Sequence, residues 1–370
     1  MASIKLFVFI LMCTVGSAPA WSLSALNDRD PSANIEICFV LDTTGSMSGL
    51  IEGAKDTIWS IANNIVSLQP LPNVKFCLIA FRDRGDKYVT RVSDLNSDID
   101  SIYSELKRYK AQGGGDTPES VNQALGEAIQ SISWSQNPKD IRIIYLVGDA
   151  PPHMDYEERQ YPDLSLDAKE KDIVINTLQC GSMSATTPVW QHIARATQGF
   201  YSKLQQSGNV KVVTTPMDQD FYALNKKIGE TLLPYGSSQD RKAIVEQQQK
   251  TQNEKQSVVA DRLSYNAKTQ RLKQGRGDLL DDIDAGLVNL QALDDSQLPP
   301  DLRGLSVADK NTVLAKMRHK RSVYQDTINA LDIERRNFIR EKTNASSASF
   351  DREVLKGIQD LAKRKGLDLR

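Results

Sequence analysis

The strongest constraint on the fold comes from three mainly apolar runs. They cover residues 35–41 (IEICFVL), 74–81 (VKFCLIAF) and 141–147 (IRIIYLV). Strands with so few polar side chains are buried on both faces, which is typical of parallel sheets covered by helices on both sides. Residues 173–178 and 199–203 are shorter strand candidates. The sequence therefore predicts a sheet whose central strands lie inside the protein.

Segments with helical spacing of apolar residues separate these strands. A short edge strand is predicted at 88–92, and helices are predicted at 48–68, 99–109, 118–132, 188–197 and 218–233. Strands that alternate with helices of this length indicate crossover connections and a mainly parallel sheet. We expect an α/β domain with a doubly wound, mainly parallel sheet over residues 34–236.

The N-terminus has the features of an export signal. Lys5 precedes an apolar run over residues 6–15, and Ala18-Pro19-Ala20 supplies the small residues that a signal peptidase recognises. The run is about half as long as the ~20 residues needed to span a bilayer. We expect a signal peptide over 1–20 and a linker over 21–33. The mature protein would be periplasmic or secreted and would have no transmembrane segment.

Removal of that signal leaves three cysteines, Cys38, Cys77 and Cys180. All three lie in apolar runs, and their spacing matches neither a zinc site nor a disulfide framework. Cysteine in such surroundings behaves as a small apolar residue. We therefore expect three buried thiols.

The character of the sequence changes at residues 234–238. The region 237–370 reads as long polar helices and contains no tryptophan. Apolar residues between 307 and 338 recur at heptad positions, except at Lys310, Arg321 and Arg335. An intramolecular antiparallel hairpin or a homodimeric coiled coil would cover this seam. We expect a coiled-coil-like C-terminal region that is separable, so that a chain ending near Gly236 folds alone.

Two short motifs have ordinary explanations. The glycines at 113–115 are not followed by Gly-Lys-Ser/Thr, so a phosphate-binding loop is not expected. Arg276-Gly277-Asp278 matches an integrin-binding tripeptide. It precedes an apolar helix, however, and an aspartate at that place is a natural N-cap.

Polar loops border the predicted strands at one edge of the sheet. Asp42, Thr44 and Ser46 follow the first strand, Thr117 lies after a glycine-rich segment, and Asp149 follows the strand at 141–147. Ligands bind at the carboxyl edge of open α/β sheets, so we expect these side chains to lie together. Their oxygens suit a hard cation such as Mg²⁺, Mn²⁺ or Ca²⁺.

These loops resemble the metal-ion-dependent adhesion site of von Willebrand factor type A domains. Asp42-x-Thr44-x-Ser46 is similar to the Asp-x-Ser-x-Ser loop of that family, with threonine in place of the first serine. Thr117 resembles the second-loop threonine, and Asp149 resembles the third-loop aspartate. The resemblance covers about residues 35–233 and is strongest to the branch of bacterial secreted proteins and some alpha-kinases.

The resemblance implies both a metal site and a partner. Mg²⁺ is the expected ion, with Mn²⁺ or Ca²⁺ as alternatives, and the implied ligands are Asp42, Thr44, Ser46, Thr117 and Asp149. Asp116 and His153 would lie near the ion without binding it. A protein or peptide ligand would complete the coordination with an acidic side chain.

The expected function is metal-dependent binding rather than catalysis. The chain has 3 His residues and no recognisable pairing of an acid with a base, so we do not expect an enzyme. Its net charge of −1 gives no reason to expect nucleic acid as a partner. Two alternatives remain at this stage. One is a scaffold that acts through its helical region around a structural metal, and the other is a metal-assisted hydrolase.

Overall fold

The computed structural model describes residues 34–68, 71–115, 117–208, 212–342 and 349–367. A single six-stranded sheet lies at its centre, in the order β3-β2-β1-β4-β5-β6. The strands are β1 (Asn34–Asp42), β2 (Asn73–Phe81), β3 (Thr90–Asn96), β4 (Ile141–Gly148), β5 (Val174–Cys180) and β6 (Tyr201–Leu204). All neighbours are parallel except β2 and β3, which are antiparallel. The predicted α/β class and the buried central strands are confirmed.

Eleven α-helices accompany the sheet within the described residues. They are α1 (Ser48–Ile65), α2 (Ile99–Leu106), α3 (Val121–Gln130), α4 (Tyr161–Glu170), α5 (Thr186–Ala196), α6 (Asp218–Gly229), α7 (Ser238–Gln252), α8 (Gln256–Lys268), α9 (Leu279–Asp284), α10 (Val307–Lys342) and α11 (Phe350–Arg364). None of the helices in these ranges is both long and apolar enough to cross a membrane. The sequence pattern missed α4, because only Leu164, Ser165 and Ala168 of that helix are buried.

The two faces of the sheet carry separate apolar cores. On one face, Phe39 and Tyr145 pack with residues of α1, α2 and α11. On the other face, Val40 and Ile144 pack with residues of α3, α4 and α5. Alternate side chains of each strand point to opposite faces, so every central strand contributes to both cores. The doubly covered sheet places the ends of β1 and β4 side by side at one edge.

The C-terminal region, which was expected to be separable, packs directly on the sheet. Phe350, Val354 and Ile358 of α11 are almost fully buried in the same core as β1 and β4. The Tyr145 hydroxyl donates a hydrogen bond to the carbonyl oxygen of Val354 at 2.5 Å. The described residues from Asn34 onward therefore form one compact unit. The polar segment at 234–238 marks a change in composition and not the end of the folding unit.

The long helix α10 packs within the chain, against α6 and α8. This agrees with an intramolecular seam, although the partners are two helices and not one arm of a hairpin. Arg321 and Arg335 of α10, which interrupted the heptad pattern, are both buried. Arg321 Nη1 lies 2.7 Å from Asp278 Oδ1, and Arg335 Nε lies 2.8 Å from Asp218 Oδ1. Arginines in ion pairs therefore occupy heptad positions at which apolar residues were expected.

The expectation for Asp278 is confirmed. Its carboxylate accepts a hydrogen bond from the backbone N–H of Asp281 and caps α9. Asp278 is 0% exposed, so the tripeptide Arg276-Gly277-Asp278 cannot present its carboxylate to another protein.

The cysteine prediction is partly wrong. Cys38 on β1 and Cys77 on β2 are direct partners in the parallel register, and their sulfur atoms form a disulfide bond. Cys180 is a free, buried thiol, as expected. The sequence alone did not show the pairing because the two cysteines become neighbours only when the strands are aligned.

Candidate metal centre

The first loop gathers its three predicted ligands around the end of β1. The Asp42 side chain is 1% exposed, and its Oδ1 accepts hydrogen bonds from the Thr44 backbone N–H at 2.8 Å and from Thr44 Oγ1 at 2.7 Å. Thr44 Oγ1 lies 3.3 Å from Ser46 Oγ. The second carboxylate oxygen of Asp42, Oδ2, is buried and has no hydrogen-bond partner. This oxygen is the unsatisfied group of the loop.

The second loop lies directly on the first. The backbone N–H of Gly45 donates to the carbonyl oxygen of Gly113 at 3.1 Å. Gly114 has a φ of +72°, and a Cβ atom at this position would lie 2.8 Å from Thr44 Cβ. Glycine is therefore required there for the two loops to approach. Thr117 is exposed at the end of this loop, and Asp116 lies outside the described residues.

The third loop places a second carboxylate, that of Asp149, near Asp42 of the first loop. A Cβ atom at Gly148 would lie 2.9 Å from Asp42 Cβ, so the residue before Asp149 touches Asp42. Gln206 Nε2, on the turn after β6, donates to Asp149 Oδ2 at 2.6 Å and to the carbonyl oxygen of Ser46 at 3.2 Å. Gln206 thus ties the third loop to the first. No sequence pattern pointed to this exposed residue.

The carboxylates of the centre repel one another. Burial, followed by the negative charge of Asp149, raises the pKa of Asp42 to about 7, although hydrogen bonds from Thr44 oppose the shift. Burial and the charges of Asp42, Asp83, Asp86 and Asp149 raise the pKa of Glu119 to about 9. In the part of the chain that the structure describes, no lysine or arginine forms an ion pair with Asp42 or Glu119. The charged forms of these two carboxyl groups therefore have no compensating cation beside them.

His153 is engaged by other carboxylates. Its Nδ1 lies 2.8 Å from Asp155 Oδ1, and its Nε2 lies 3.2 Å from Asp83 Oδ2. The ring stacks on Tyr156 with the ring centroids 4.0 Å apart. Burial would lower the pKa of His153, but the Asp155 hydrogen bond and the nearby negative charges raise it overall. Both ring nitrogens thus face Asp83 and Asp155 and not Asp42 or Asp149.

Arg82 supports the first two loops through hydrogen bonds to their backbone. Its Nε donates to the carbonyl oxygen of Thr43 at 3.2 Å, and its Nη2 donates to the carbonyl oxygen of Lys110 at 2.6 Å. Arg82 is 4% exposed. Arg82 is therefore a buried support of the centre.

The donor set decides which ions the centre suits. Among the described residues, no group of three or more His, Cys, Asp or Glu side chains forms a ready metal cage. A cation held here would depend on the hydroxyls of Thr44 and Ser46 together with carboxylates. Such oxygen donors suit a hard divalent ion and do not suit a soft one.

Comparison with known proteins agrees with this architecture. Residues 36–216 match the family model of the von Willebrand factor A domain. The chain contains a von Willebrand factor A domain. Domains of this kind are general protein-interaction modules, and the match ends before α7.

The similar proteins share only a limited stretch with this chain. Human von Willebrand factor A domain-containing protein 7 is 36% identical over 129 residues, which are 32% of this chain and 14% of the human protein. Alpha-protein kinase vwkA of Dictyostelium discoideum is 28% identical over 123 residues, which are 32% of this chain and 19% of the kinase. The chain thus spans less than a fifth of the length of either relative.

A similar solved structure is that of proximal thread matrix protein 1 from the mussel byssus, with a zinc-occupied MIDAS motif. It has a TM-score of 0.37 and 13% sequence identity, and the match covers 47% of this chain and 42% of that one.

Proposed function

We propose that the three-loop centre binds a divalent cation and, through it, a protein or peptide that presents an acidic side chain. The observation that carries the proposal is the buried Asp42 Oδ2, which has no hydrogen-bond partner beside a second carboxylate. A buried carboxylate oxygen without a partner is costly, and a bound cation would remove that cost. The ligands would be Asp42, Thr44, Ser46, Thr117 and Asp149.

The residues present fit a hard cation. Thr44 and Ser46 supply neutral oxygens, while Asp42 and Asp149 supply charge at the ends of β1 and β4. Mg²⁺ is the expected ion, and Mn²⁺ and Ca²⁺ prefer similar donors. Once bound, the ion would supply a positive point to which a carboxylate of the partner attaches.

We further propose that the protein is exported and acts without catalysis. The Cys38–Cys77 disulfide supports export, because disulfides persist mainly in oxidising compartments. Both nitrogens of His153 face carboxylates, which is a poor arrangement for a base acting on metal-bound water. Intact-mass measurement of the exported protein should give a chain beginning at Trp21. A mass that retains residues 1–20 would contradict export, and metal-dependent turnover of phosphoester or peptide substrates would contradict a purely binding role.

Metal titration tests the centre. Isothermal titration of MgCl₂ should show one site in the wild-type protein and none in Asp42→Ala. Asp163→Ala is the matched control, because Asp163 is an exposed aspartate in the first turn of α4. Circular dichroism should show both variants folded. Equal Mg²⁺ affinity in Asp42→Ala and wild type would refute the site.

Partner binding is tested separately, with immobilised protein and native extracellular extract. Partners should bind in MgCl₂, be released by chelator, and fail to bind Asp42→Ala. Partners that remain bound after chelation would instead support a scaffold whose metal is only structural.

A further inference from the structure

A cavity of about 450 Å³ lies where α1, α8, α10 and α11 meet. Its volume falls within the range of small-molecule sites, ~300–1,000 Å³. Ser60 of α1 lines the cavity, whereas Ser48, the first residue of that helix, follows the first loop of the metal centre. These two residues are separated by about 18 Å of helix. The cavity is therefore distinct from the three-loop centre.

The charged lining of this cavity is mainly basic. Among the described residues it consists of four arginines and two aspartates. Positive charge that converges on a cavity attracts anions. The arginines are Arg335, Arg336 and Arg340 of α10 and Arg352 in the first turn of α11, and the aspartates are Asp261 and Asp351.

Arg335 is a structural part of the wall. Its side chain is 3% exposed, its Nε lies 2.8 Å from Asp218 Oδ1, and its Nη1 lies 2.6 Å from Asp261 Oδ1. Two carboxylates therefore satisfy this arginine and leave it no role in binding a ligand. The same contacts neutralise Asp261, so this aspartate does not repel an anion strongly.

Arg336 and Arg340 are more weakly compensated. They lie four residues apart on α10, so their side chains are neighbours on one side of the helix. Arg336 Nε lies 2.9 Å from Asp332 Oδ2, but Lys268 Nζ lies 2.7 Å from the same oxygen, so two cations share one carboxylate. Arg340 Nη2 donates to the neutral Asn337 Oδ1 at 3.0 Å, and no ion pair between described residues includes Arg340.

We propose that this cavity binds a small ligand through a phosphate or sulfate group, held by Arg336 and Arg340 of α10 together with Arg352 of α11. A guanidinium group matches such an oxyanion because its planar fork donates two parallel hydrogen bonds. Ser60 and Asn64 of α1 line the same cavity and offer hydrogen bonds to the rest of the ligand. The bound ligand would connect α1 with the C-terminal helices. This site does not depend on the proposed metal centre.

The test is calorimetric titration of the full chain with sodium phosphate, sodium pyrophosphate and sodium sulfate, at equal ionic strength and without divalent cations. The wild-type protein should bind at least one of these anions at a single site. Arg340→Gln should weaken that binding by ~10–100-fold, the typical effect of losing a hydrogen-bonding group to a charged partner. Arg340→Lys should recover only part of the affinity, because lysine keeps the charge but lacks the fork. Arg340 is exposed, so both variants should fold.

Arg195→Gln is the matched control. Arg195 is an exposed arginine in the last turn of α5, a helix that packs on the other face of the sheet. The control removes the same charge and should leave the affinity unchanged. As a second readout, the anion that binds should raise the thermal unfolding temperature of the wild type and of Arg195→Gln more than that of Arg340→Gln.

Three results would overturn the inference. The first is no binding of any of the three anions by the wild type, since the arginines would then be structural only. The second is full affinity in Arg340→Gln. The third is an equal loss in Arg340→Gln and Arg195→Gln, since general attraction to positive charge would then explain the binding. If binding depends on Arg340, a preference for phosphate or pyrophosphate over sulfate would support a phosphorylated ligand, and the reverse order would support a sulfated one.

Discussion

Replacement of Gly357 by alanine tests whether α11 lies on the sheet. In an exposed helix this change stabilises a protein, because alanine has the higher helix propensity by ~0.8–1 kcal/mol. In this structure a Cβ atom at Gly357 would lie 2.6 Å from the Tyr145 hydroxyl oxygen, 2.7 Å from Asn176 Nδ2 and 2.8 Å from Phe200 Cε1. Tyr145 and Asn176 are almost fully buried and have no room to withdraw.

The packing cost should exceed the gain in propensity. Overpacking a core by one methyl group typically costs ~1–3 kcal/mol. After the helix-propensity gain of ~0.8–1 kcal/mol is subtracted, Gly357→Ala should destabilise the protein by up to ~2 kcal/mol. The measurement is the free energy of unfolding from urea denaturation followed by circular dichroism.

Gly126 in α3 is the matched control. The nearest atom to a Cβ at this position is Leu164 Cδ2, at an ordinary contact distance of 3.8 Å. Gly126→Ala should therefore stabilise the protein by up to ~1 kcal/mol. If Gly357→Ala stabilises the protein to the same degree, α11 does not pack against β4 and β5, and the single folding unit is refuted.

Two further predictions concern buried pairs. Burial would raise the pKa of Asp100, but Arg262 outweighs it and holds that pKa below its ordinary value of 3.8. This pair should stabilise the fold above pH 3.8 and lose its effect as the pH falls through the lowered pKa. Asp100→Asn should cost ~3–5 kcal/mol at neutral pH, because Arg262 stays buried without its partner, and the difference from wild type should narrow in acid. A difference that stays constant with pH would contradict the pairing. Alkylation of denatured, unreduced protein should modify Cys180 and leave Cys38 and Cys77 unlabelled; label on either would rule out the disulfide.

The sheet was largely predictable because the apolar composition of its central strands indicates that they are buried. The predicted run at 141–147 became β4 (Ile141–Gly148), and the run at 35–41 became β1 (Asn34–Asp42). Helix α4 was not predictable in this way, since it rests on the sheet with few apolar side chains. Nor was the Cys38–Cys77 bond, which depends on the alignment of two strands distant in the sequence.

The candidate site was predictable where a motif fixes local spacing. Asp42, Thr44 and Ser46 lie two residues apart, and the structure keeps them within one hydrogen-bonded loop. Glu119 and Gln206 were not predicted as part of the centre, because their places depend on contacts between loops. In the C-terminal region, Arg321 and Arg335 did not fit the heptad pattern. In the structure both are buried, because each forms an ion pair with an aspartate from a distant segment of the chain.

The position of α11 has a consequence for how the chain is made. Phe39 packs against Phe350, with ring centroids 5.7 Å apart, so one of the first strands to be synthesised packs on one of the last helices. A nascent chain can complete β1 to β6 long before residue 350 has left the ribosome or crossed a membrane. During that interval the strip around Phe39 and Tyr145 lacks its native cover, and exposed apolar surface of this kind favours aggregation and chaperone binding. This face of the sheet is therefore covered late, because α11 can pack on it only after the C-terminal part of the chain has been synthesised.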